Sequence, residues 1–201
     1  MKTTDTITIW KNCFAEAQAT HENFINQPEI WDKLEKMSQI LIDTFKNEKT
    51  VFSCGNGGSH CDSMHFAEEF TGRYRKNRKP MGALALGESS HLTCVANDFG
   101  FEQVFARQIQ ALGRKGDCLL LISTSGNSKN QVLACEAAKE KGLSTIGLLG
   151  RDGGELKNLV DLAIVVPGVK GTWSDRIQEM HIKIIHAVIE TVEQKLFPEL
   201  Y

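Results

Sequence analysis

A chain of 201 residues, 41% apolar and 24% charged, has the composition of one globular unit large enough to bury a substantial core. Its formal net charge of −2, from 23 Lys and Arg against 25 Asp and Glu, argues against nucleic-acid binding driven by electrostatics. No apolar run is long enough for a bilayer span and no secretory h-region follows Met1. The six cysteines Cys13, Cys54, Cys61, Cys94, Cys118 and Cys135 contain no CxxC pair, so they read as reduced, buried thiols of a cytoplasmic protein.

Residues 5–48 read as two helices broken at Asn26, Gln27 and Pro28. The second carries Ile30, Trp31, Leu34, Met37, Ile40, Leu41 and Phe45 at helical spacing. That stripe is wide enough to serve both the core and a partner chain, so 1–48 forms an N-terminal helical part ahead of a 49–201 core. From residue 50, short apolar runs alternate with helical stretches. Strands are expected at 50–54, 81–86, 118–123, 144–149 and 162–166, and helices at 58–71, 102–112, 128–141, 155–159 and 174–196. Such alternation means a parallel five-stranded sheet covered by helices on both faces, with ligands at the carboxyl ends of the strands. Neither G-x-G-x-x-G nor GxxxxGK[ST] is present, which removes support for dinucleotide and P-loop readings.

Three constellations carry chemistry. The run SCGNGGSH at 53–60 turns on glycines from a strand end into a helix, offering free backbone N–H groups to an anion; His65 and Glu69 follow, one turn apart on one face of that helix. The run STSGNS at 123–128 places four hydroxyls (Ser123, Thr124, Ser125 and Ser128) at a strand end where the next helix begins, a seat for a phosphate, with Ser128 as the alternative plain N-cap. In the last helix Gln178 and His186 share a side. If that helix faces the one bearing His65 and Glu69, four N and O ligands converge in a set suited to zinc or a similar divalent ion. His60, His91 and His181 read as structural. Asn97 and Asp98 read as a turn, able to accept from sugar hydroxyls or to form an Asx-turn. Arg73, Arg75, Lys76, Arg78 and Lys79 read as a solvated loop after a helix, with Arg73 the candidate for anion recognition.

With SCGNGGSH, HFAEE at 65–69, NDFG at 97–100, STSGNS and DRIQE at 175–179 in this order, the chain closely resembles the phosphoheptose isomerase family of the sugar isomerase (SIS) domain superfamily. The resemblance implies a three-layer α/β/α sandwich and a homotetramer with sites at subunit interfaces. It implies one Zn2+ per subunit on His65, Glu69, Gln178 and His186. Substrate contacts would come from Asn56, Gly57, Gly58, Glu69, Asn97, Asp98, Ser123, Thr124, Ser125, Ser128 and Gln178. Glu69 would be the base and His186 the acid in converting sedoheptulose 7-phosphate to D-glycero-D-manno-heptose 7-phosphate, the entry to the heptose of lipopolysaccharide core. The stretch 167–174 is longer than the family pattern and bears on the site mouth.

A non-catalytic SIS protein, holding a sugar phosphate or a replication-initiator partner, would keep the fold without needing all four ligand positions. Arabinose 5-phosphate isomerases and amino-sugar phosphate lyases carry other site residues or further domains. The presence of His65, Glu69, Gln178 and His186 together favours the isomerase.

Overall fold

The computed structural model describes residues 5–168 and 173–201. Two helices lead, α1 (Thr6–Ile25) and α2 (Ile30–Lys46). The core follows as β1 (Val51–Gly55), α3 (Gly58–Thr71), β2 (Ala83–Ala85), α4 (Ser89–Phe99), α5 (Val104–Leu112), β3 (Cys118–Ser123), α6 (Lys129–Lys141), β4 (Ser144–Gly150), α7 (Leu156–Leu159), β5 (Leu162–Val166) and α8 (Ser174–Leu196). Single 3-10 turns lie at Phe101–Gln103 and Pro198–Leu200.

The five strands form one parallel sheet in the order β2-β1-β3-β4-β5. Strand β1 steps to one side to reach β2, and all later steps run the other way. Right-handed crossovers therefore place α3 on one face and α4 to α7 on the opposite face. The side chains agree. One core joins Phe66 and Phe70 of α3 to Met37 and Leu41 of α2 and Ile177 and Ile185 of α8. The other joins Val95, Phe105, Val132 and Leu156 of α4 to α7. All six residues of β3 are buried, as a central parallel strand requires. The result is the expected three-layer sandwich, and the direction of chain travel reverses between β1 and β3, where such sheets open a crevice.

Four expectations need correction. The second strand shrinks from 81–86 to Ala83–Ala85. Asn97 and Asp98 are not in a turn; they close α4, an 11-residue helix. Of the six cysteines only Cys54, Cys118 and Cys135 are buried, while Cys13 is half-buried and Cys61 and Cys94 are exposed. The basic run after α3 is not uniformly solvated, because the Arg78 side chain is 0% exposed. In the stretch 167–174, residues 169–172 lie outside the described residues.

Among the described residues no helix is long and apolar enough to cross a membrane.

Candidate active site

Adjacent strands β1 and β3 deliver two helix starts to the crevice. Strand β1 ends at Gly55 and turns through Asn56 and Gly57 into α3. Gly57 takes φ 55°, a backbone state that glycine reaches without strain, and a Cβ there would meet nothing within 4 Å. Open space thus lies against the start of α3. Strand β3 ends at Ser123 and its loop leads to Ser128, the N-cap of α6. Neither Gly57 nor Ser128 makes a side-chain capping bond. The first N–H groups of both helices are left to an anion, which the helix dipoles also favour.

The serine loop is shaped by its own hydroxyls. Ser123 Oγ accepts from Gly126 N at 3.0 Å and Ser125 Oγ accepts from Asn127 N at 3.2 Å. Thr124 Oγ1 donates to Ser174 Oγ at 3.3 Å, tying the loop to the start of α8. Gly126 sits at φ 68° with the Gly153 carbonyl oxygen 1.9 Å from where a Cβ would be, so the loop after β4 closes against it. The two helix starts are joined by a reciprocal amide pair. Asn56 Nδ2 donates to Asn130 Oδ1 at 3.0 Å, and Asn130 Nδ2 donates to Asn56 Oδ1 at 2.8 Å.

From the crevice α3 and α8 run side by side in the same direction. Near their starts, the Gln178 amide lies 2.7 Å from where a Cβ on Gly58 would be. Seven residues along α3 and eight along α8, the imidazoles of His65 and His186 meet, Nε2 to Nε2, at 3.0 Å. One turn further, Glu69 Oε1 lies 3.2 Å from His65 Nε2. Ligand atoms of His65, Glu69 and His186 all fall within 4.8 Å of one another. Ligands about 2.1 Å from a tetrahedral ion stand roughly 3.4 Å apart, so this spacing and the N, N, O donor set fit a divalent metal.

Desolvation, and then neighbouring His65, lowers the pKa of His186, which favours the neutral form that binds metals. Asp62 lies on the same stripe of α3, between Gly58 and His65. Burial raises its carboxyl to about 6, although His65 pulls in the other direction, and Asp62 Oδ2 is buried without a partner.

The structure therefore gathers Asn56, Gly57, Gly58 and Gln178 at the head of the groove, Ser123, Thr124, Ser125 and Ser128 beside them, and His65, Glu69 and His186 two turns below. Gln178 keeps to the head: helical rise sets its Cα about 12 Å along the axis from that of His186. Asn97 and Asp98 belong to the opposite helix layer. They are exposed at the end of α4, with Asn97 Nδ2 donating to Asp98 Oδ1 at 2.8 Å. Sequence reasoning passed over Asn130, Asp62 and Tyr74. The i+4 and i−3 spacing of Asp62 from Gly58 and His65 was a usable signal. Tyr74, whose ring centroid is 6.1 Å from that of His186, had none.

The chain matches the SIS domain family over residues 13–150. Curated phosphoheptose isomerases are close relatives. That of Fusobacterium nucleatum is 51% identical over 178 residues, covering 89% of this chain and 90% of the relative. That of Histophilus somni is 52% identical with the same coverage of 89% and 90%. The solved structure of phosphoheptose isomerase GmhA from Neisseria gonorrhoeae superposes with a TM-score of 0.87 at 35% identity, covering 94% of this chain and 100% of the other. With half its residues shared across nine-tenths of its length, the chain belongs to the SIS domain family and, within it, to the phosphoheptose isomerases, which are aldose–ketose isomerases.

Proposed function

We propose that the groove between α3 and α8 converts sedoheptulose 7-phosphate to D-glycero-D-manno-heptose 7-phosphate, supplying heptose for lipopolysaccharide core. The single observation that carries this reading is the meeting of His65, Glu69 and His186 two turns below a hydroxyl-lined crevice. The lengths agree. An extended seven-carbon chain spans roughly 8 Å from C1 to C7. Seven residues of helix, from Gly58 to His65, rise about 10 Å, and the side chains lean back toward the helix start. A phosphate seated on the N–H groups of Gly57 and Gly58 and on Ser123, Thr124, Ser125 and Ser128 would bring C1 and C2 to Glu69. Asn56, Gln178, Asn97 and Asp98 are assigned to the sugar hydroxyls.

In the reaction Glu69 takes a proton from C1 through the carboxylate oxygen turned away from His65. The electron pair left behind forms the C1–C2 double bond, and the C2 carbonyl oxygen becomes a hydroxyl by accepting a proton from His186. Return of a proton to C2, with loss of the O1 proton to His186, gives the aldose. The phosphate end supplies binding energy remote from these atoms and holds them in register with the base. We assign one Zn2+ per subunit to His65, Glu69 and His186, with Gln178 as the fourth ligand when its side chain turns down the groove. Bound there, the ion supplies positive charge against the developing enediolate.

We further propose a cytoplasmic homotetramer in which 1–48 packs between subunits, over a 49–201 core, and sites lie at the interfaces. Exposed Ile7, Trp10 and Phe14 of α1 and Trp31 of α2 support that packing.

The decisive assay incubates the pure protein with sedoheptulose 7-phosphate and follows the aldose, with and without chelator. Turnover that chelator abolishes and Zn2+ restores is the expected result. Tight binding of the ketose without turnover would make the protein a sugar-phosphate receptor. Light scattering tests the tetramer.

A further inference from the structure

The segment after α3 ties the two helices of the site together. Arg78 is fully buried, and each part of its guanidinium is used. Its Nε donates to Glu193 Oε1 at 2.8 Å, one terminal nitrogen to the Phe70 carbonyl at 2.8 Å, and the other to the Glu69 carbonyl at 2.6 Å. The two carbonyls belong to the last turn of α3, where helix geometry supplies no partner within the helix; the Phe70 carbonyl also accepts from Met81 N at 3.0 Å. A cation there also meets the negative end of the helix dipole. Glu193 sits on α8 two turns beyond His186 and is likewise fully buried. Its second oxygen accepts from the Tyr201 hydroxyl at 2.7 Å and from Arg75 N at 3.3 Å. Nearer the surface, Arg75 pairs with Glu190 at 2.5 Å, and Tyr74 lies against the His186 ring.

A buried ion pair is a poor source of stability, because desolving both charges offsets most of their attraction; its best-attested use is to fix register. Here register matters. His65 and Glu69 are on one helix and His186 on the other, and their ligand atoms meet only if α3 and α8 hold their axial alignment.

We infer that Arg78 and Glu193 are positioning residues for the His65–Glu69–His186 cluster: they lock the end of α3, through the backbone of Glu69 itself, to α8. The inference rests on the metal reading of that cluster. It goes beyond it in assigning the cluster's geometry to a pair that touches neither metal nor substrate. Because the phosphate seat hangs on the β1 and β3 loops, loss of the pair acts on metal affinity and kcat and leaves KM nearly alone.

The test uses the full-length, metal-free protein and two variants. In the double variant Arg78→Met/Glu193→Met an apolar pair of similar length replaces the charges, which restores packing without the bonds to the Glu69 and Phe70 carbonyls. Arg78→Lys keeps a charge opposite Glu193 but cannot reach Glu193 and both carbonyls at once. Zn2+ binding is read by calorimetry, folding by thermal melts without metal, and turnover by kcat and KM for sedoheptulose 7-phosphate. The expected result is Zn2+ affinity reduced roughly 10–100-fold, kcat reduced in step, and KM within about twofold, in a double variant that melts near the parent. Should the double variant fail to fold, Arg78→Lys decides by the same readings. Parental Zn2+ affinity and kcat in a folded variant would overturn the inference while leaving the cluster's metal role intact. A parent protein that takes up no Zn2+ would overturn both.

Discussion

The two ends of the groove between α3 and α8 are built by different means. The head is made of backbone: two helix starts on neighbouring strands, a loop bent by its own serines, and the Asn56–Asn130 amide pair between them. Its partners are close in sequence or fixed by the sheet, so it depends little on how the helices slide. The foot is made of side chains from α3 and α8, and the two imidazoles that meet there are 121 residues apart. Nothing local sets that meeting. It depends on two helices packed against the same sheet and on the buried ties below it. An anion needs many weak donors in rough register, whereas a metal and a base need a few groups held to fractions of an ångström. On the proposed assignment the molecule divides the tasks accordingly, with binding at the head and chemistry at the foot.

The largest expected effect breaks the foot alone. In Glu69→Gln the carboxylate proposed to accept the C1 proton is gone while side-chain size is kept. We expect kcat to fall about 10²–10⁴-fold, the range for loss of a general base, with KM for sedoheptulose 7-phosphate changed little. Steady-state kinetics decide it. Near-parental kcat would remove Glu69 from the base role and move attention to Asp62, the other carboxyl on the same stripe.

The second prediction concerns α8, the helix that both ends share. Its groove side carries His186, and its sheet side carries His181, wholly buried, with Nε2 facing the Leu149 carbonyl at 3.1 Å and Nδ1 without a partner. Burial pulls the His181 pKa from 6.5 down to about 4. Between those values the unfolded chain holds more protons than the folded one. His181 therefore stabilises fully above pH 6.5, and that contribution is lost as the pH falls toward 4. Asp62 acts in the opposite sense. Its carboxyl is raised from 3.8 to about 6, so it favours the folded state at low pH and that contribution is lost as pH rises through 6. The parent's curve sums these with other groups, His186 among them, whose lowered pKa acts in the same sense as that of His181, so only a difference isolates His181. Urea unfolding of the metal-free parent and of His181→Gln should show the parent losing about 2 kcal/mol more than the variant between pH 7.5 and 5. Equal slopes would mean that the imidazole is not the source.

How much of this was legible depended on where the partner lies. Buried parallel strands read as unbroken apolar runs, so Cys118–Ser123 and Leu162–Val166 were found to the residue. Helix starts rich in glycine and serine mark the head of the site in the sequence itself. Helix α4 was missed because Glu88 rather than a short polar residue caps it, accepting from Ser90 N and His91 N, and because Asn97 and Asp98 resemble turn residues. Arg78 was misread because a charge within a basic run looks solvated, and its partner Glu193 is 115 residues away. Spacing gave His65 with Glu69, and Gln178 with His186, as faces of two helices. It set Gln178 a little over two turns before His186, and in the structure the Gln178 amide lies next to Gly58.

The smallest expected effect tests the head, and it separates two roles for one hydroxyl. Ser128 occupies the N-cap of α6, where a serine that caps contributes about 1 kcal/mol to stability. Its side chain makes no capping bond here, so Ser128→Ala should leave the melting temperature unchanged. Ser123 and Ser125 differ, since their oxygens accept from Gly126 N and Asn127 N and their loss would deform the loop. Ser128 is thus the serine whose removal subtracts a donor with the least disturbance to the fold. A hydrogen bond to a charged group contributes about 1.5–3 kcal/mol, so KM should rise at least roughly tenfold with kcat retained. A lower melting temperature with unchanged KM would return Ser128 to a capping role and leave the phosphate to the other hydroxyls and the helix N–H groups. A fall in kcat at constant KM would mean that the two ends are coupled, and the division of labour between head and foot would not hold.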